Sequence, residues 1–310
     1  MDTGIDQTAG RAATGRCATD PAAAPAAAPA ADPSAATSTG RPAARRGPQD
    51  THAAPERRDR DIIRMVERAV AAENVMLAFQ PVVAAGRHDR PVFYEGLIRI
   101  LDDRGRIIPA RDFIGPVESL ELGRRIDCLT LALGLRTLRQ RPRLRLSINM
   151  SARSIAYPAW RRTLEDGLAE DPALGERLIL EIGEDSTVQM PDIVQIFLAE
   201  YQPRGLSFAL DSFGAGMSAL GQLRQLPFDI LKIDGQFVRG IARSPEDQAL
   251  LKALLGFGRH FDMVTVAECV ESSDDARCLA RLGVDCLQGY YFGAPTVRPR
   301  WAPCRDEGAA

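Results

Sequence analysis

The feature that most constrains the fold is a repeated alternation of short apolar runs with helix-like segments after about residue 57. The apolar runs include VMLAFQPVVAA, PVFYEGLIRI, LRLSINMS, RLILEIGE, LSFALDSFG, DILKIDGQFV and MVTVAECVE. Segments such as DIVQIFLAEYQPRG, with apolar residues at helical spacing, lie between several of them. Nearly continuous apolar strands belong to a mostly parallel sheet that helices cover. About eight such strands favour a closed β/α barrel, and no GxGxxG motif follows an early strand to indicate a dinucleotide-binding sheet.

The chain divides by composition into three parts. Residues 1–57 are mainly Ala, Pro, Thr, Gly and Arg, as in PAAAPAAAPAADPSAATSTGRPAARRGP. Such a segment cannot bury enough apolar surface to offset the entropy of ordering it, so we expect it to be disordered. We expect one folded domain over residues 58–298 and a short tail over residues 299–310.

Overall charge and cysteine usage exclude several classes of function. The formal net charge is −2, so we expect no binding of a nucleic-acid polymer through a basic surface. The 6 cysteines form no CxxC pair and are interpreted as free thiols in a reducing cytoplasm. No apolar run is long enough to span a bilayer, so we expect no membrane span and a cytoplasmic location. The 3 histidines lack zinc-binding spacing, so any metal would be bound by oxygen ligands.

A polar side chain closes or interrupts one predicted strand after another. Because the carboxyl ends of the strands of a β/α barrel meet at one face, we expect these side chains to converge. Any one of them taken alone is more often a helix cap, a loop hydrogen-bonding residue or a solvated surface residue. Repetition across the strands favours a functional site, and its members are Glu95, Asn149, Glu181, Asp211, Lys232, Glu268 and Gln288.

The chemistry of this set indicates metal binding. Carboxylate and amide oxygens are the hard ligands that Mg²⁺ or Mn²⁺ prefers. So many converging carboxylates would repel one another without cations. Two such ions close together can activate water and stabilise both oxygens of an in-line phosphodiester displacement.

Lys232 and Arg99 extend this interpretation. Apart from Lys252, Lys232 is the only lysine in a chain that otherwise uses arginine. Its ammonium group is suited to holding a nucleophilic water or stabilising a developing phosphoryl charge. Residues 95, 97 and 99 alternate along one strand, so Arg99 should reach the pocket that Glu95 enters. A guanidinium there would suit a phosphate or a guanine edge.

Several segments follow, in order and spacing, the motifs of one family. They are FQPVV, YEGLIRI, LSINMSARSI, LILEIGEDS, FALDSFGAGMSALGQLRQLPFDILKIDGQFV, VAECVES and LGVDCLQGYYFGAP. From about Val75 to about Pro295 the chain therefore resembles the EAL-domain family of cyclic di-GMP phosphodiesterases. The resemblance implies a TIM-like (β/α)8 barrel variant that binds cyclic di-GMP and hydrolyses it to pGpG with two Mg²⁺ or Mn²⁺ ions. A homodimer is also expected from the resemblance.

The resemblance implies a role for each matching residue. The implied metal ligands are Glu95, Asn149, Glu181 and Asp211, with Glu268 at the second ion or acting as base on the attacking water. The implied catalytic group consists of Lys232, Glu268 and Gln288. The implied substrate contacts are Gln80, Leu97 and Arg99, and the implied loop-supporting residues are Glu184, Asp234 and Glu271.

One departure from the family pattern bears on activity. Ser212 stands where the family carries the second aspartate of a DDFG motif. A hydroxyl removes one charge and one strong ligand, so we expect weaker binding of the second metal. Three functions therefore stay open: a working phosphodiesterase, an impaired domain that binds cyclic di-GMP and signals through a protein partner, and a protein-interaction module that has lost the ligand.

Overall fold

The fold is built around one β-sheet. The computed structural model describes residues 53–215, 226–299 and 301. Within them the strands are β1 (Val75–Ala84), β2 (Arg87–Leu101), β3 (Ile107–Pro109), β4 (Leu146–Met150), β5 (Leu178–Gly183), β6 (Ser207–Phe213), β7 (Ile230–Ile233), β8 (Val264–Ala267) and β9 (Cys286–Gln288).

The sheet closes on itself. Its strand order is β1-β9-β8-β7-β6-β5-β4-β2-β3, and β1 also pairs with β2. Among the described strands β3 pairs only with β2, so the remaining eight of the nine form a ring. β1 is antiparallel to both of its neighbours, and the other pairs of the ring are parallel. The predicted TIM-like (β/α)8 barrel is confirmed, with its first strand reversed.

Helices cover the outside of this ring. They are α1 (Ala53–Ala71), α2 (Ile114–Val117), α3 (Glu121–Gln140), α4 (Pro158–Glu170), α5 (Glu184–Gln189), α6 (Pro191–Tyr201), α7 (Pro245–His260) and α8 (Ser273–Leu282).

Local sequence sets the ends of these helices, as α7 illustrates. The hydroxyl of Ser244 accepts a hydrogen bond from the Asp247 amide, and a proline occupies the first turn. Acidic residues in the first turn and basic ones in the last complement the helix dipole.

The largest part of the core lies between the helices and the barrel. Trp160 of α4 packs edge-on against Phe197 of α6 at 5.7 Å between ring centroids, and Phe197 packs against Phe208 of β6 at 5.4 Å. All three side chains are buried. Burying an aromatic side chain of this size contributes on the order of 2–3 kcal/mol. This packing holds the parallel strands in register and thereby fixes the face where they end.

The N-terminal boundary differs in detail from the sequence prediction. α1 begins at Ala53, within the segment predicted to be disordered, and buries Val66, Ala69 and Val70 at helical spacing. The rest of that segment, residues 1–52, lies outside the described residues, as do residues 300 and 302–310. The division at residues 57 and 298 stays a prediction. Across the described stretches, no helix is long and apolar enough to cross a membrane, and the cytoplasmic location stays a prediction.

Two backbone segments approach closely at Gly289, beyond the end of β9. The Val270 amide donates to the Gln288 carbonyl at 2.9 Å, and the Tyr291 amide donates to the Val270 carbonyl at 3.1 Å. A Cβ on Gly289 would lie 2.1 Å from the Val270 carbonyl oxygen. Only glycine fits here, and the contact fixes the segments that carry Glu268 and Gln288.

We expect Gly289→Ala to lower the free energy of unfolding by about 2–3 kcal/mol, because the backbone of residue 270 must move. Gly256→Ala is the matched control: on the exposed face of α7 no described atom lies within 4 Å of the added Cβ. That change should raise stability by about 0.5–1 kcal/mol through helix propensity. Urea unfolding followed by circular dichroism measures both. Equal stability of the two variants would contradict the close approach.

Candidate active site

Four carboxylates surround one ammonium group inside the barrel mouth. The Lys232 Nζ atom lies 2.6 Å from Glu181 Oε2, 2.8 Å from Asp211 Oδ1, 2.9 Å from Glu268 Oε1 and 3.4 Å from Glu95 Oε2. The Lys232 side chain is 1% exposed. The residues come from β2, β5, β6, β7 and the position after β8. The predicted convergence of these charged side chains is therefore found.

Amide side chains complete this cluster around Glu95. Asn149 Nδ2 donates to Glu95 Oε1 at 2.7 Å, and Gln288 Nε2 donates to Glu95 Oε2 at 2.5 Å. Gln288 Nε2 also lies 3.2 Å from Gln80 Oε1, and Gln80 Nε2 donates to the Gly293 carbonyl at 3.1 Å. Both carboxylate oxygens of Glu95 are thus held in place by neighbours on other strands.

The register of the strands produces this arrangement. Asn149 of β4 pairs with Glu181 of β5, and Asp211 of β6 pairs with Gly183, two residues further along β5. Side chains at alternate positions point to the same face, so these polar groups enter the barrel while their neighbours pack outward.

Glu95 interrupts its strand rather than ending it. β2 continues to Leu101 because β3 pairs alongside its second half, with Arg99 opposite Pro109. Period two still places Glu95, Leu97 and Arg99 on one side, and all three line the same cleft. The inference that Arg99 reaches the pocket of Glu95 agrees with this geometry.

Burial and mutual charge shift the pKa values of the cluster. Burial, with the neighbouring charge of Glu95, raises the pKa of Glu181 well above its usual range. Burial likewise raises the pKa of Glu268 to about 8, although the Lys232 charge opposes it. Burial would also raise the pKa of Glu95, but Lys232 and the amide hydrogen bonds outweigh it and lower that pKa. Burial alone would lower the pKa of Lys232, but the surrounding carboxylates raise it well above its usual range. Lys232 is therefore charged and is the shared counter-ion of the cluster.

The carboxylates converge on this ammonium rather than on an open point between them. In the part of the chain that the structure describes, no three acidic, histidine or cysteine side chains form a metal-binding group as they stand.

Two clefts meet at this cluster. The first has a cavity volume of about 530 Å³, and its walls include Asp127, Asn149, Asp211 and Ser212. The second has a volume of about 670 Å³ and contains the predicted substrate contacts Gln80, Leu97 and Arg99 beside Glu268 and Gln288. Glu95 and Leu97 line both. A ligand larger than a mononucleotide could extend across both clefts, past the carboxylates.

The residues predicted to support loops make local contacts near the cluster. Glu184 Oε2 accepts from the Gly214 amide at 2.9 Å, just beyond β6. Asp234 Oδ1 accepts from the Gln236 amide at 2.7 Å and caps a short 3₁₀ turn. Glu271 Oε1 lies 3.6 Å from Arg239 Nε at the second cleft. Residues 216–225 lie outside the described part, so the loop role stays a prediction.

Backbone strain accompanies two of the carboxylates. Ser212 and Cys269, which directly follow Asp211 and Glu268, both have a φ of 56° in the left-handed region. Non-glycine residues adopt this region at a cost of about 1–3 kcal/mol, and such strain is common at functional sites. At Ser212 it coincides with a register shift in the β6–β7 ladder, and Ser212 Oγ donates to Asp211 Oδ2 at 3.3 Å.

Several cleft residues were missed by reasoning from strand ends. Asp127 lies within α3 and accepts hydrogen bonds from the Ser151 amide at 3.0 Å and from Ser154 Oγ at 2.6 Å. Arg111 follows β3, and Tyr290 follows β9; both line the second cleft. None of the three lies in an apolar run ending in a polar residue, so the pattern used for the sequence prediction carried no signal for them.

Comparison with known proteins identifies the family. The EAL domain family model matches residues 63–295, and the chain belongs to the EAL domain family. It is 30% identical over 242 residues to the cyclic di-GMP phosphodiesterase PdeB of Shewanella oneidensis, covering 74% of this chain and 27% of that protein. It spans about a quarter to a third of the length of most of the curated relatives that it matches.

Solved structures share the fold. A structure of the PaMucR phosphodiesterase in complex with c-di-GMP matches with a TM-score of 0.69 at 26% identity, covering 76% of this chain and 97% of that one. The FimX EAL domain from Pseudomonas aeruginosa, bound to c-di-GMP, matches with a TM-score of 0.69 over the same shares. At 24% identity that second likeness concerns the fold alone.

We expect Lys232→Met to lower the free energy of unfolding at neutral pH, without divalent metal, by about 3–5 kcal/mol. The change leaves four carboxyl groups facing one another without a cation, of which Glu95 and Glu181 are buried and the other two partly buried. Some would take up protons in response, so the loss should grow as pH rises. Urea unfolding monitored by circular dichroism provides the measurement.

Lys252→Met is the matched control for that experiment, because Lys252 lies exposed on α7 and is the only other lysine. Its effect should stay within about 0.5 kcal/mol. If both lysine variants were as stable as the wild type, Lys232 would not be the counter-ion of the cluster.

The raised pKa of Glu268 predicts a pH dependence of stability. Below its ordinary pKa of 4.5 the carboxyl is protonated in both the folded and the unfolded chain. Between 4.5 and about 8 the unfolded chain loses this proton while the folded protein keeps it, so stability falls as pH rises. Glu268→Gln should therefore reduce the loss of stability over this range. Thermal unfolding of both proteins at a series of pH values is the measurement, and parallel curves would refute the assignment.

Proposed function

We propose that this domain hydrolyses cyclic di-GMP to pGpG. The observation that carries the proposal is the cluster of four carboxylates around the buried Lys232, placed where an arginine-containing cleft meets a second cleft. Membership of the EAL family and likeness to proteins named cyclic di-GMP phosphodiesterases support the substrate. Cavities of this size accommodate nucleotide-sized ligands.

The donor set fits a hard divalent cation. Among the described residues none donates a hydrogen bond to the buried Oε1 atoms of Glu181 and Gln288. A buried acceptor without a donor has a high free energy, which a cation would lower. We propose that Mg²⁺ or Mn²⁺ is held by Glu95, Asn149, Glu181 and Asp211. A bound ion of this kind lowers the pKa of water and stabilises negative charge on phosphoryl oxygens.

The remaining residues then have distinct tasks. Water adds to phosphorus and the bond to the 3′-oxygen breaks, which yields a 5′-phosphate and a 3′-hydroxyl. In its ionised form, Glu268 is placed to take the proton of the attacking water or to bind a second ion. Lys232 Nζ donates toward that water or toward a phosphoryl oxygen, and Gln288 orients Glu95. Arg99 binds an anionic or guanine group of the substrate in the second cleft.

Ser212 favours a second candidate function, a receptor that binds cyclic di-GMP without rapid turnover. Its hydroxyl lies 3.3 Å from Asp211 Oδ2 and offers a neutral, weaker ligand than a carboxylate. Loss of second-metal affinity would slow hydrolysis while leaving the Arg99 cleft intact. Such a domain would act through a protein partner. The homodimer expected from the resemblance stays a prediction.

The test is hydrolysis of cyclic di-GMP with Mn²⁺, followed by chromatography of pGpG, for the wild type beside Ser212→Asp. We expect the wild type to form pGpG and Ser212→Asp to raise the rate by about tenfold, equivalent to about 1.4 kcal/mol of barrier. Lys232→Met is the inactive control. Calorimetric titration of cyclic di-GMP separates the candidates: binding without product formation in the wild type supports the receptor. Absence of both binding and product would overturn both functions.

A further inference from the structure

The second cleft carries positive charge that the strand-end pattern did not reveal. Arg99, Arg111 and Arg239 all line it. Arg239 is engaged with Glu271 at 3.6 Å and with Cys269 Sγ at 3.1 Å. Arg99 and Arg111 therefore remain as the arginines most available to a ligand on this wall.

The β2–β3 pairing places Arg111 beside Arg99. Arg99 lies opposite Pro109 in the ladder, and Arg111 follows two residues later in a short 3₁₀ turn. Arg99 is half-buried and donates from Nη1 to the Ile98 carbonyl at 2.9 Å. Arg111 is 75% exposed on its side chain, and its Nη1 reaches the Tyr290 hydroxyl on the opposite rim at 3.5 Å. The guanidinium of Arg111 thus extends over the cleft rather than away from it.

The neighbouring guanidinium groups of Arg99 and Arg111 repel each other, so an anion bound between them is favoured. Burial, followed by the nearby Arg111 charge, lowers the pKa of Arg99. The only carboxylate paired with Arg111 among the described residues is its neighbour Asp112, at 3.7 Å and half exposed. Such an exposed pair contributes little and leaves most of the guanidinium donors free for a ligand.

We propose that Arg111 is a second phosphate-binding residue, which together with Arg99 holds the phosphate of cyclic di-GMP that is not being cleaved. Glu95 and Leu97 line both clefts, so a ligand with one phosphate at the carboxylate cluster extends its other phosphate toward Arg99 and Arg111. Two guanidinium forks match the oxygens of one phosphodiester. This inference rests on the proposed function. It makes Arg111 a determinant of preference for a ligand with two phosphates over a mononucleotide.

The test compares Arg111→Gln and Arg111→Lys with Arg104→Gln in calorimetric titrations of cyclic di-GMP without divalent metal. Arg104 is exposed on the β2–β3 connection and is not among the residues lining either cleft, so it is a matched control. We expect Arg111→Gln to weaken binding about fivefold to tenfold, Arg111→Lys to weaken it less, and Arg104→Gln to leave it unchanged. Because Arg111 is exposed, the difference should shrink as NaCl rises from about 0.05 to about 0.5 M.

A second probe separates this inference from the proposed function. Inorganic pyrophosphate, without divalent metal, should raise the melting temperature of the wild type and of Arg104→Gln but not of Arg111→Gln. If the wild type binds cyclic di-GMP and Arg111→Gln binds it equally well, the role of Arg111 is overturned and the proposed function stands. If the wild type binds cyclic di-GMP neither without metal nor with Mn²⁺, while the pyrophosphate effect depends on Arg111, the anion site stands and the proposed function fails. If neither probe distinguishes the variants, Arg111 has no role in ligand binding and the inference is overturned.

Discussion

The buried ion cluster around Lys232 is the interaction on which the rest of the site depends. An ammonium with 1% exposure would be unstable in an apolar barrel unless carboxylates compensated it. Those carboxylates come from four other segments that are distant in sequence, so they meet only when the barrel closes. Closure in turn relies on β1, which runs antiparallel and bridges β2 and β9. The site and the barrel therefore stabilise each other.

Charge divides the mouth of the barrel into two chemical regions. Carboxylates concentrate at Lys232 and suit cations, whereas Arg99 and Arg111 lie on the wall of the second cleft and suit anions. A phosphodiester ligand accompanied by divalent cations would satisfy both regions at once. The strained backbone at Ser212 and Cys269 lies beside the carboxylate region, directly after Asp211 and Glu268. This distribution gives the proposed hydrolysis and the receptor alternative a common binding site and makes Ser212 the residue that distinguishes them.

Much of this arrangement could be predicted from the chain, but unevenly. The polar residues predicted to converge at the barrel mouth do so, since period two and a common barrel face are properties of the strands themselves. The pairing of β3 beside the second half of β2 was not predicted, because hairpin pairing is not visible in the apolar pattern. Asp127 and Arg111 were missed because one lies on a helix and the other in a turn, where no strand-end signal exists.

The sequence by itself determined the alternation of strands and helices that favours a barrel, and the polar residues carried by its strands. These follow from local apolar periodicity, which each segment displays without reference to the others. Only the tertiary structure decided that one ammonium contacts four carboxylates, that Gly289 lets two backbone segments touch, and that Arg111 lies beside Arg99. Those contacts depend on register, strand closure and side-chain direction across segments far apart in the chain. The distances between these groups are set by the packing of the whole barrel.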